Sequence, residues 1–178
     1  PPKPVRSVNG ALRVLRDAKK EESSGIVSRF LLFPGTYRGF DVCNVTVHSG
    51  ERIQIGARTQ QDGTRVDCQS KTRFLNIDGG SVELSGFTIV SGDFKEGSGG
   101  SLVNVKAQGE SRRLNPILLA LVLREMRLST SQNAPGLFVQ GRAAQVKLFG
   151  TSMDSHKAGA IHLSNGASIY GERVSFQG

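Results

Sequence analysis

The chain has 178 residues, 22 of them glycine and none tryptophan, and its 23 basic against 15 acidic side chains give a formal charge of +8. That length fits one domain, and its longest apolar run, residues 117–123, is far shorter than the ~20 residues of a membrane-spanning helix. The charge favours an acidic partner, but no helix-turn-helix, finger or alternation of aromatic and basic residues points to nucleic acid.

The chain starts at Pro1 rather than methionine, which suggests a processed N-terminus and fits secretion to the cell surface or import into an organelle. Pro1 to Pro4 reads as an extended arm. Ser7 is placed to cap a helix over residues 8–20, with Leu12, Leu15 and Ala18 on one face and Arg13, Arg16, Lys19 and Lys20 on the other. Residues 1–28 are therefore an arm and a capping helix, and residues 29–178 a separate body.

In that body, residues 26–33 predict a first strand and Pro34-Gly35 a turn. Phe40/Val42, Val45/Val47 and Ile53/Ile55 form the inward pairs of a first coil. Residues 57–63 are a polar excursion, and residues 64–68 return as a strand. The stretch 74–92, FLNIDGGSVELSGFTIVSG, then holds three short strands joined by small-residue corners, with Leu75/Ile77, Val82/Leu84 and Phe87/Ile89 facing in. The pattern recurs with Val103/Val105, Leu121/Leu123 and Met126/Leu128. It recurs again with Leu137/Val139, Val146/Leu148 and Thr151/Met153, and finally with Ile161/Leu163, Ile169 and Val174/Phe176, with corners at Gly166 and Gly171. Column two steps from 121 to 146 to 169, by 25 and then 23, and column three from 126 to 151 to 174 by the same intervals. A repeat of this size is a solenoid.

The entry RFLLFPGTYRGFDVCNVTV resembles the start of right-handed parallel β-helix domains of the pectin lyase-like superfamily. GGSVELSGFTIVSG and NGASIYGERVSFQG are similar to repeats of polymorphic outer-membrane-protein-like surface proteins. The resemblance covers residues 29–178. It implies an all-β fold, a right-handed single-stranded parallel β-helix of about five turns behind a short N-terminal capping helix. It leaves function open, because this architecture carries lyases, hydrolases, adhesins and inert scaffolds alike.

Cys43 and Cys68 stand 25 residues apart, close to one coil, but on this register they fall in different columns. Buried free thiols are therefore expected over a bridge. Two cysteines without His or Cys neighbours at ligand spacing give no metal site, and the glycines of residues 91–100 lack the spacing of a phosphate loop. No cofactor is expected.

The outward positions read Asp41, Asn76, Asn104, Phe138 and His162 in column one and Thr46, Glu83, Val122, Lys147 and Tyr170 in column two. Column three reads Gln54, Thr88, Arg127, Ser152 and Ser175. Glycoside hydrolysis needs two carboxyl groups some 5–9.5 Å apart, about one or two rungs, and a lyase needs clustered acids for Ca²⁺ with a base. No column supplies either. The remaining catalytic candidates are Asp154 and His156, where Asp-x-His suits an oriented imidazole, and Asp93 at a comparable corner; a polar turn explains them equally well.

Docking is the stronger reading. The inserted loop at 107–116 carries Arg112 and Arg113 and projects from the coil. Val122, Phe138 and Tyr170 are more apolar than a bare flank requires. Phe176 ends column three with no helix after it, so either the chain continues or a partner covers that rung. The sequence thus predicts a non-catalytic accessory subunit of a larger protein assembly, peripheral to a membrane complex in one version. An anionic surface or polysaccharide is a further partner class. A carbohydrate-active or carbohydrate-binding surface protein is the alternative, and a surface adhesin fragment a weaker third.

Overall fold

The structure is a computed structural model that describes residues 7–18, 27–39, 42–58, 63–69, 72–91, 101–107, 118–130, 135–154 and 159–177. One helix, α1 (Val8–Ala18), precedes the strands. The strands then run β1 (Val27–Leu32), β2 (Gly35–Arg38), β3 (Val45–His48), β4 (Arg52–Ala57), β5 (Thr64–Asp67) and β6 (Leu75–Asp78). They continue as β7 (Ser81–Ser85), β8 (Thr88–Ser91), β9 (Val103–Lys106), β10 (Leu118–Arg124), β11 (Arg127–Thr130) and β12 (Leu137–Gln140). The last are β13 (Ala144–Phe149), β14 (Ser152–Asp154), β15 (Ile161–Ser164), β16 (Ser168–Glu172) and β17 (Ser175–Gln177).

Every third strand stacks on the last, always parallel. The first sheet orders β1-β4-β7-β10-β13-β16, the second β2-β5-β8-β11-β14-β17, and the third β3-β6-β9-β12-β15. This is an all-β parallel solenoid. From β3 to β15 the chain makes four full circuits, with a part-circuit before and after.

From Leu75 onward the predicted columns are the observed ones. Leu75, Val103, Leu137 and Ile161 are register partners, as are Val82, Leu121, Val146 and Ile169. As far as Met153 their inward rows form one buried cluster with Val8 and Leu12 of α1, while on the last rung Ile161 and Ile169 are partly buried and Leu163 and Phe176 are exposed. The register of β10 against β13 shifts between Leu119 and Leu121, so Ala120 is an extra residue, and it is fully buried.

The first coil is displaced by one column from the sequence expectation. Gly35–Arg38, which begins inside the expected Pro34-Gly35 turn, is a strand of the second sheet paired with β5. Val45 therefore opens the third sheet beside Leu75, and Ile53 lies in the first between Ser28 and Val82. Proline and glycine do not break the chain here: Pro34 lies just before β2, and Gly35, at φ 147°, is the strand's first residue.

That shift decides the cysteines. Cys43 lies between β2 and β3, and Cys68 between β5 and β6, so both occupy the corner between the second and third sheets on successive rungs. Their Cα atoms are 5.7 Å apart and they form a disulfide, not the expected free thiols.

From β7 onward the corner between the first and second sheets turns at one left-handed residue: Gly86, Glu125, Gly150 and Arg173 have φ of 74°, 51°, 56° and 54°. Their amides bond rung to rung, Gly86 to the Arg124 carbonyl at 3.0 Å, Glu125 to Phe149 at 2.8 Å and Gly150 to Glu172 at 3.0 Å. Gly171, expected at this corner, lies inside β16 in register with Leu148, and Arg173 makes the turn. At Gly80 a Cβ would come within 2.6 Å of the His48 carbonyl oxygen, so glycine is required for close approach of backbones.

α1 covers the start of the third sheet. The Ser7 hydroxyl caps it, accepting from the Gly10 amide at 2.9 Å, and Val8 and Leu12 are buried. Arg16, expected outside, instead donates to Glu51 at 2.7 and 2.8 Å and to the Thr46 carbonyl at 2.6 Å. Burial alone would raise the Glu51 carboxyl, but hydrogen bonds from Arg16 and the His48 amide outweigh it and hold the group below the ordinary carboxylate range. A lowered native pKa stabilises the fold above the unfolded value, and that contribution is lost as pH falls through the native one. Because the pair is partly exposed, Glu51→Gln should cost only about 1 kcal/mol at pH 7. In denaturant titrations at several pH values, the gap to wild type should close below about pH 4; a gap independent of pH would refute the assignment.

Candidate binding faces

Each sheet turns one side outward, and stacked strands bring outward residues together along the axis. On the first sheet the central outward row is Arg29, Gln54, Glu83, Val122, Lys147 and Tyr170. Gln54 thus replaces Thr46, which belongs to the third sheet beside Asn76. A second outward row adds Ser85, Arg124, Phe149 and Glu172.

These two rows interlock. Glu83 accepts from Gln54 at 3.0 Å and from Arg124 at 2.8 Å. The Arg124 guanidinium lies over the Phe149 ring at 4.7 Å, and that ring is 6.1 Å from Tyr170. The result is a belt of five side chains across successive rungs, from amide through carboxylate and guanidinium to two aromatic rings. Tyr170 is 52% exposed at its end. Val122 points outward as expected but, between Glu83 and Lys147 in register, is only 9% exposed.

The third sheet carries Thr46, Asn76, Asn104, Phe138 and His162 outward; Asp41, expected first in that row, lies outside the described residues. Asn104 donates its amide to Asn76 at 2.6 Å, so the two stacked side chains form an amide ladder. Phe138 and His162 stack with centroids 4.9 Å apart and planes 4° from parallel.

On the second sheet Thr36 and Arg65, not Gln54, begin the row that continues through Thr88, Arg127, Ser152 and Ser175. Asp154 is nearly buried and takes a hydrogen bond from Arg127 at 2.5 Å, while its other oxygen has no hydrogen-bond partner among the described residues. The carboxylate is held in an ion pair rather than presented to solvent. Asp93, Arg112, Arg113 and His156 lie outside the described residues. Phe176, in register with Met153, is 59% exposed on the last rung.

Among the described residues, no outward row places two carboxylates on neighbouring strands, and no three metal-binding side chains cluster. No described helix is long and apolar enough to cross a membrane. No family model, curated protein or solved structure matches the chain.

Sequence reading missed Arg124 and Phe149 because it took one outward position per strand. β10 and β13 are seven and six residues long, so each has more than one. The alternation in AQVKLF, residues 144–149, already carried that signal.

Proposed function

We propose that the protein is a non-catalytic structural and binding module, an accessory subunit that docks onto a larger protein assembly. The observation that carries this reading is the belt on the first sheet, where Glu83, Arg124, Phe149 and Tyr170 are held in place before any partner arrives. Arginine and tyrosine dominate interface hot spots, and pre-ordering lowers the entropy lost on binding. The loop with Arg112 and Arg113 and the exposed Phe176 extend the proposed surface. The same reading makes the chain a distant member of the pectin lyase-like superfamily, supported by its three-sheet parallel solenoid. The disulfide favours an oxidising compartment, in line with secretion or the cell surface.

The test is the native mass of the protein isolated gently from its source, with identification of what travels with it. A stoichiometric assembly is expected, and Arg124→Ala with Tyr170→Ala should weaken it by about 30-fold or more, the loss typical of one hot spot. A protein that runs alone would overturn the reading.

The stacked Phe138 and His162 rings favour a second reading, a carbohydrate-binding or carbohydrate-active surface protein. Glycan screening by thermal shift separates the two, because only this reading expects a ligand-dependent rise in melting temperature.

A further inference from the structure

α1 hydrogen-bonds to the leading end of the third sheet. Asn9 and Arg16 donate to the Cys43 and Thr46 carbonyls, which closes the third sheet's end. At the end of the first sheet, β1 pairs with β4 on one side and with no described strand on the other. The N–H and C=O of one strand residue point the same way and alternate along the strand. Because the Leu32 carbonyl accepts from the Arg58 amide, Phe30 and Leu32 face β4, and the polar groups of Val27, Arg29 and Leu31 face the open edge.

Beside that edge, between α1 and β1, is a groove of about 330 Å³ lined by Val8, Ala11, Phe30, Leu32, Tyr37 and Val42. Leu31 and Phe33 on its rim are 67% and 55% exposed. Arg29 is the one charged residue among its described lining, and Arg52 lies beside Val27 in the next strand.

We propose that β1 accepts an added β-strand from a protein partner, an extended segment that alternates apolar and acidic residues. Main-chain hydrogen bonds to the open edge supply affinity. Period-two alternation sends every other side chain into the apolar groove and the rest outward, where Arg29 and Arg52 select carboxylates. This inference rests on the protein-docking reading and names one surface and the chemistry of its partner.

The probe is an acetylated, amidated peptide of about seven residues alternating valine and glutamate, measured by fluorescence anisotropy against a block-ordered peptide of the same composition. Wild type should bind the alternating peptide alone. Leu31→Pro removes an edge-facing N–H without touching the β4 ladder and should weaken binding at least about tenfold. Arg29→Glu should do the same and recover with lysine in place of glutamate in the peptide, which decides the matter even if the proline variant fails to fold. Absence of wild-type binding, indifference to both variants, or occupation of the edge by a second copy in sedimentation would each overturn the proposal. A protein that travels in an assembly yet ignores the peptide sinks strand addition alone; peptide binding by a protein that runs alone in its source sinks the accessory-subunit reading alone.

Discussion

Phe74→Ala is expected to lower the unfolding free energy by about 3–5 kcal/mol, the usual cost of deleting a fully enclosed aromatic ring. Phe74 has no exposed surface and meets Phe87 edge-on, with centroids 6.0 Å apart and planes at 74°. Its backbone also links three rungs, donating to the Leu102 carbonyl at 2.9 Å and accepting from the Val45 amide at 2.9 Å. A solenoid core is narrow and each rung contacts only its neighbours, so little can move in to fill the cavity. Equilibrium denaturation in urea tests this, with Phe74→Leu as the control that keeps most of the volume. A loss below about 1 kcal/mol for the alanine variant would mean that the ring is not a keystone of the second corner.

Opening the Cys43–Cys68 bond should cost nearly as much. It closes a span of 25 residues, for which loss of loop entropy in the unfolded chain predicts about 3.5 kcal/mol. The bond fastens the first coil to the second under α1, where Asn9 donates to the Cys43 carbonyl at 2.8 Å. Both cysteines are almost fully enclosed, at 0% and 1% exposure, so a reductant should act slowly on the native protein and quickly in denaturant. The measurement is the denaturation midpoint of Cys43→Ala/Cys68→Ala against wild type, with thiol titration under native and denaturing conditions. An unchanged midpoint, or two thiols that titrate at once in the native protein, would show that the bridge does not hold the coils together.

The two expectations expose different parts of the sequence's information. Phe74 and its repeat partners were legible because three strands per coil, alternating with period two, leave few registers that bury Leu75, Ile77, Val82 and Leu84 together. The disulfide was not, because a one-column error at Gly35–Arg38 separated two cysteines that share a corner. Spacing alone fixed the coil length but not where the first coil begins. Arg16 was misplaced for a related reason: helical periodicity names an outer face, while its partner Glu51 is 35 residues away on the first coil.

For the binding faces, sequence placed Phe138, His162 and Tyr170 outward and paired Asn76 with Asn104, since residues one coil apart must stack. It did not join Gln54, Glu83, Arg124, Phe149 and Tyr170 into a belt, because the one-column shift moved Gln54 out of that row, Arg124 and Phe149 share a second outward row, and the Glu83–Arg124 and Phe149–Tyr170 contacts are diagonal. Nor did it find that β1 has no described strand on its outer side, or that α1 hydrogen-bonds to the end of the third sheet. What the sequence determined by itself was the parallel coil, its inward rows and the N-terminal cap, all consequences of local periodicity. Where the coil begins, which cysteines meet and which edge stays open were decided by tertiary packing, because each depends on residues that periodicity brings near without saying which will touch.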